Sequence, residues 1–242
     1  MVNVMTNELL LIFALVFIYG GVLVAYKLFG RVGLFCFTAI AAILANVEVA
    51  MLIEGFGMVQ TLGNVLFASS FLVTDILSEN YGKKDAQVAV NIGIFTSVIF
   101  IVLAQSWLLY HPIPDHAPSA AFPLVFGNTP RILGASFFVY AVSQRFDVFL
   151  YHKWWDISSK WKNDRRPYLW LRNNGSTLFS QLLNTVMFNV LAFAGTESWG
   201  TVLSIIISCY VIFIFTSLLD TPVVYIARRI KPRMDAPVKQ EK

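Results

Sequence analysis

Residues Val88–Leu109 read VAVNIGIFTSVIFIVLAQSWLL, a run with no Asp, Glu, Lys or Arg. A charge-free apolar run of about 20 residues is the length that crosses a bilayer as a helix. Six further apolar stretches flank it, at roughly Leu9–Leu28, Val32–Ile53, Thr61–Leu77, Ile132–Tyr151, Ser176–Ala194 and Val202–Ile226. Seven crossings would use about 140 residues and leave only short loops in a chain of 242. The expected fold is an all-α polytopic membrane helix bundle of about seven transmembrane helices.

The composition agrees. Apolar residues make up 57% and charged residues only 13%, and mean hydropathy is +0.67. A soluble domain carries about 25% charged residues. A soluble enzyme, a disordered chain and a nucleic-acid-binding domain are excluded on this ground, despite a net charge of +4. The first run lacks a basic leader segment and a small-residue cleavage site, so it reads as a retained span, not a signal peptide. Cys36 and Cys209 lie within apolar runs and read as small packing residues.

The cations set the orientation. Sixteen of the 18 Lys and Arg residues follow spans one, three, five and seven; Arg131 and Arg145 are the exceptions. The positive-inside rule then puts the N-terminus outside and the C-terminus in the cytoplasm, with the protein in the inner (cytoplasmic) membrane. Trp154, Trp155, Trp161 and Trp170 crowd the largest cytoplasmic loop, either as an interfacial belt or as a gate. The outer segment His111–Pro130, with five prolines, is expected to be irregular. No His pair has metal-binding spacing, and no cofactor is called for.

Ionisable and amide groups inside spans are costly and mark sites. Helical spacing puts Asn64, Ala68, Phe71, Asp75 and Glu79 on one face of span three. Ser136, Tyr140, Gln144 and Asp147 share a face of span five, and Thr177, Gln181, Asn184 and Phe188 a face of span six. At 1.5 Å per residue, Asp75, Gln144 and Gln181 lie about 7–11 Å inside the cytoplasmic ends of their spans. Asp220 falls at the same level. This layer is the candidate binding site. Its carboxylates accept hydrogen bonds, its amides donate and accept, and Phe71, Tyr140 and Phe188 offer rings to stack. Such chemistry suits a neutral or cationic polar heterocycle better than a phosphate. Each group also has a structural reading: Asp75 and Glu79 as a helix-end anchor, Asp220 as a kink residue before Pro222, Arg145 as a lipid-facing cation. Glu48 reads equally as a proton-coupling or a structural acid.

Three segments carry a resemblance: Gly63–Ala86 (GNVLFASSFLVTDILSENYGKKDA), Ala135–Asp147 (ASFFVYAVSQRFD) and Trp170–Gly195 (WLRNNGSTLFSQLLNTVMFNVLAFAG). In this order and between matching spans, they resemble the queuosine precursor transporter family, also called the vitamin uptake transporter family. The resemblance implies a six-span core, placed here at residues 32–230; the N-terminal span at 1–31 is additional to the family's core, and 231–242 reads as a polar cytoplasmic tail. It implies import of a 7-deazaguanine-type precursor of queuosine, and it carries the site onto Asp75, Gln144, Asp147, Gln181 and Asn184. Asn184 stands where family members commonly have Asp. On this reading Asp147 and Gln144 hold the polar edge of the base, with Tyr140 beside it. Gln181 and Asn184 contact it from span six. Asp75, Glu79, Glu48 and Asp220 are the candidates for gating or proton coupling.

Two rival classes remain. One is the substrate-binding subunit of a larger importer, since the chain has no GxxxxGK[ST] segment of its own and would need partner ATPases. The other is an intramembrane enzyme, but HExxH and GxSxG are both absent, so the expectation is a transporter and not an enzyme. The partners expected are a small-molecule substrate and the lipid bilayer, with no nucleic acid; a homo-oligomer or an ATPase pair are the protein partners such a chain would take.

Overall fold

The computed structural model describes residues 4–113, 117–127, 130–162 and 168–234. Arg165, Arg166, His116 and the tail beyond residue 234 lie outside the described residues. The chain forms α1 (Val4–Glu48), a β1–β2 hairpin (Leu52–Gly55 and Met58–Thr61), α2 (Asn64–Asn80), α3 (Lys83–Trp107), α4 (Ala117–Phe126), α5 (Pro130–Lys162), α6 (Leu169–Phe193) and α7 (Trp199–Arg229).

The helix α1 is two arms folded back on each other. Gly30 breaks it with φ 60° and ψ −139°, a region open to glycine and strained for other residues. A Cβ on Gly21 would lie 3.6 Å from the Phe37 ring, although 16 residues of straight helix span about 24 Å. The start of α1 also meets the segment that follows its end. Asn7 Nδ2 donates to the Glu54 carbonyl at 2.9 Å, and Phe56 N donates to Glu8 Oε1 at 3.0 Å. The reversal falls between the first two apolar runs.

The second run ends earlier than its hydropathy suggests. The helix stops at Glu48, and Leu52 and Ile53 pair as strand with Thr61 and Gln60. Phe56 and Gly57 both have positive φ, the geometry of a two-residue hairpin turn matched to strand twist. The outer segment after α3 contains the short helix α4, so it is more regular than its prolines suggest.

The polar helix α2 is the centre of the bundle. Val65–Glu79 is buried almost throughout, and α1, α3, α5 and α7 pack around it. Its neighbours supply Val22, Tyr26, Ala89, Val148 and Val224 to a common core with Leu72, Val73 and Ile76. Large apolar side chains such as Phe17, Phe95, Ile207 and Phe215 point outward, while Asp75, Gln144, Asp147 and Gln181 are fully buried. This inversion of soluble packing suits a lipid surround, where backbone groups are satisfied within helices and polar side chains turn inward. Four helical segments are long and apolar enough to cross a membrane: Asn7–Glu48, Lys83–Trp107, Leu169–Phe193 and Trp199–Arg229. At 17 residues α2 is shorter than these segments, and α5 carries charged residues along its length. The protein is an all-α helical membrane bundle.

Its two ends differ in charge. At one end the Gly30 turn, the α2–α3 junction and the end of α7 meet. There Arg31 approaches Asp85 at 3.7 Å, and Arg233 N donates to the Lys27 carbonyl at 2.9 Å. At the other end sit the β-hairpin and the α6–α7 junction. Arg131, at the start of α5, donates to the Leu191 and Ala194 carbonyls at 2.7 and 2.6 Å. Both α5 and α6 continue past their apolar runs at the basic end, where Lys153 and Lys160 on α5 are good helix formers.

Candidate functional site

A cavity of about 530 Å³ reaches from the hairpin end to the middle of the bundle. Its volume comes from small residues, since Ala41, Ala42, Ala45 and Gly63 form one wall. A Cβ on Gly63 would press on the Ala45 carbonyl at 3.0 Å. The opposite wall comes from α5, α6 and α7, with Tyr140, Asn184, Phe188 and Phe213 among its residues. Phe67 sits between them, with ring centroids 6.0 Å from Tyr140 and 6.1 Å from Phe213. Gly93 on α3 makes room for Tyr140, because a Cβ there would overlap the tyrosine hydroxyl.

The predicted layer lies at and below the floor of this cavity. Gln144 Nε2 donates to the Ser70 hydroxyl on the floor at 2.5 Å, and its Oε1 has no partner. Ser180 donates to Asp147 Oδ1 at 2.7 Å, leaving Oδ2 unpartnered. Thr177 donates to Asp75 Oδ2 at 3.2 Å, leaving Oδ1 unpartnered. Neither amide atom of Gln181 and neither oxygen of Asp220 has a hydrogen-bond partner. Ser143 meets Asn184 Oδ1 at 3.4 Å. Buried polar groups are ordinarily paired, so this concentration of unpaired atoms calls for an explanation. A polar ligand entering from the cavity would supply the missing partners.

One helical turn further along α2, a buried ion-paired cluster centres on Glu79. Arg172 Nε donates to Glu79 Oε2 at 2.9 Å, and its Nη2 to Oε1 at 2.7 Å. Tyr151 donates to the same carboxylate at 2.8 Å, and Arg228 Nε stands 3.5 Å from it. The Arg172 guanidinium lies 4.4 Å from the centre of the Trp155 ring. Four helices are thus tied at one point.

Of the predicted residues, Tyr140 and Asn184 line the cavity. Gln144 touches its floor through Ser70, and Asp75, Asp147, Gln181 and Asp220 are buried beneath. Glu79 belongs to the ion-paired cluster. Glu48 is half-buried at the end of α1, beside Gly63 and away from the layer. Arg145 is exposed and donates to Asn91 at 3.3 Å. Phe71 packs against Phe67 at 5.5 Å and does not line the cavity. Cys209, a free cysteine, also lines it.

Sequence reasoning passed over Phe67, Ser70, Phe213 and Arg172. Phe67 and Ser70 were hidden because α2 is buried on every side, so a stripe did not isolate its cavity face. Arg172 was counted with the loop cations because α6 begins at Leu169, before its apolar run. The signal for it was Glu79, an acid on a helix that carries no Lys or Arg.

A model of the family described as "Putative vitamin uptake transporter" matches residues 61–227. The chain is 37% identical over 211 residues to the "Probable queuosine precursor transporter" of Bacillus subtilis (strain 168), covering 87% of this chain and 90% of that protein. No solved structure matches it. The matched region holds the cavity floor, the polar layer and the ion-paired cluster, and the protein is a membrane transporter rather than an enzyme. The chain belongs to the vitamin uptake transporter family, the queuosine precursor transporter family that its three motifs resemble.

Proposed function

We propose that this protein imports a queuosine precursor, a 7-deazaguanine-type base, into the cytoplasm. The observation that carries the reading is the set of unpaired donors and acceptors beneath an aromatic-walled cavity. A planar base stacks among Phe67, Tyr140 and Phe188, while Gln144, Asp147, Gln181 and Asn184 meet its polar edge. The name of the Bacillus subtilis relative supports the substrate class.

The chain crosses the inner membrane seven times, with two crossings in α1 and one each in α2, α3, α5, α6 and α7. The first arm, residues 1–31, adds one crossing to a six-span core at 32–230, and 231–242 is the tail. The basic end faces the cytoplasm. The cavity therefore opens outward, and Glu79 with Arg172 forms the closed inner gate. Opening it requires α2 and α6 to part, the two-sided access a transporter needs.

The test is queuosine in the tRNA of a bacterial host that neither makes nor imports the precursor. Expression of this protein with one supplied 7-deazaguanine base restores queuosine, and Asp147→Asn does not. Failure of the wild type despite membrane insertion would refute the substrate. Restoration by both proteins would refute the role of Asp147.

A further inference from the structure

We propose that Asp220 is the proton-binding site of this transporter and that proton entry through it drives uptake; the coupling, though not the proton site, rests on the transport reading above. Asp220 is 1% exposed and neither of its oxygens has a hydrogen-bond partner. Cys209, Phe213, Ser217 and Asp220 follow one face of α7. The first two line the cavity, and Asp220 lies two turns below Phe213, about 10 Å further in.

The charged surroundings of Asp220 are all acidic. Asp147 on α5 and Asp75 on α2 both lie within electrostatic reach of it. On α1 the Tyr19 hydroxyl lies close enough to interact with the Asp220 carboxylate, beyond strict hydrogen-bond geometry, and also approaches the Thr216 carbonyl at 3.4 Å. The polar groups that α6 brings to this stretch of α7 are neutral: Asn173 and Asn174 donate to Thr221 and Asn174 accepts from Ser217, while Thr177 and Ser180 donate to Asp75 and Asp147. The titratable groups of α3, Lys83, Lys84 and Asp85, belong to its first turn at the basic end. Arg172 and Arg228 are directed at Glu79. Among the described residues no cation pairs with Asp220, Asp75 or Asp147.

Three carboxylates cannot all be ionised in one water-excluded layer without counter-charge. Among the described residues no group of three or more His, Cys, Asp or Glu side chains is placed to hold a metal ion. The neutralising species assigned to this layer is the proton, which needs no shell of coordinating ligands. Gln181, fully buried with both amide atoms unpaired, and Gln144, with Oε1 unpaired, mark where ligand atoms arrive from the cavity. Ser180 donates to Asp147 and Thr177 to Asp75, so each of these carboxylates has a hydroxyl donor on α6, which leaves Asp220 to carry the proton. In the outward-open state a proton from cavity water forms the O–H bond on the Asp220 carboxylate. Once the Glu79–Arg172 gate opens, that bond breaks to cytoplasmic water. One positive charge enters with each neutral base.

Two measurements test this. The first is independent of any ligand. In the infrared spectrum of the purified protein in lipid at neutral pH, Asp220→Asn removes the carbonyl band of a protonated carboxylic acid, and Asp220→Glu shifts it. An unchanged band in both variants would overturn the proton site. The second uses vesicles containing the reconstituted protein, a pH-sensitive dye and the 7-deazaguanine base of the tRNA assay. Base addition acidifies the lumen, and a gradient of about one pH unit supports about tenfold accumulation at zero membrane potential. Asp220→Asn abolishes acidification and accumulation while Asp220→Glu retains both, and an Asp220→Asn variant that still acidifies the lumen would overturn the proton site. Uptake indifferent to the pH gradient, or driven by sodium at constant pH, would overturn proton coupling and leave the transport reading intact. No base uptake by wild type would overturn the substrate and with it the coupling, while the infrared band still decides the proton site.

Discussion

A buried guanidinium is tolerated only with a partner of opposite charge and good geometry. Arg172 meets this requirement through two hydrogen bonds to Glu79 and a stacked Trp155 ring. Arg172→Ala leaves the buried Glu79 carboxylate with Tyr151 and the 3.5 Å approach of Arg228 and is expected to cost about 3 kcal/mol, the low end for breaking a buried pair. Unfolding of the purified variant in detergent measures it, and a loss under about 1 kcal/mol, the value of an exposed pair, would contradict the burial of this network. Tyr140 depends on a neighbour in a different way. Gly93→Ala places a methyl group where the hydroxyl now sits, so the ring must swing from the cavity wall. Base uptake by this variant is expected to need about tenfold more substrate for half-saturation, the effect of about 1.4 kcal/mol, at an unchanged protein level.

At the scale of the element, α1 makes the clearest claim, because a straight helix and a hairpin differ so much in reach. With Gly21 and Phe37 replaced by cysteine in a background lacking Cys36 and Cys209, a short thiol cross-linker joins the two arms. A straight helix would hold the two sites about 24 Å apart and give no cross-link. Gly30→Ala strains the turn by roughly 1–3 kcal/mol and lowers the cross-linking yield. The β-hairpin makes a smaller claim: nothing lies within 4 Å of a Cβ on Gly57, so the positive φ alone opposes a side chain there. Gly57→Ala is expected to cost about 1 kcal/mol, read as a lowered melting temperature.

For the whole molecule, the closed basic end and the cavity at the hairpin end predict sided access. In a Cys36→Ser background, a membrane-impermeant thiol reagent applied from outside modifies Cys209 and the base protects it. Cysteine placed at Ser180, beneath the floor, stays unmodified from outside. Labelling of Cys209 from the cytoplasmic side alone would reverse the orientation of the cavity. The same arrangement explains why a chain with many outward Phe and Ile residues keeps Asp75, Asp147 and Asp220 together: lipid tolerates the former, and only a shielded interior tolerates the latter.

The sequence by itself determined the bundle, the alternation of basic and acidic ends and the polar stripes, because these follow from local quantities: run length, charge placement and helical period. It determined the reversal near Gly30 as a gap between two runs, and placed Asp75, Gln144, Gln181 and Asp220 at one level by counting rise per residue. Only the tertiary structure decided that the cavity stands above this layer, that Phe67, Ser70 and Phe213 form its floor, and that Arg172 is buried on Glu79. These contacts join residues from 70 to more than 140 positions apart in the chain, and their geometry depends on how the helices rotate and lean against one another. Periodicity fixes which residues share a face; it does not fix which face meets which neighbour, since lipid-facing and helix-facing apolar residues look alike in sequence.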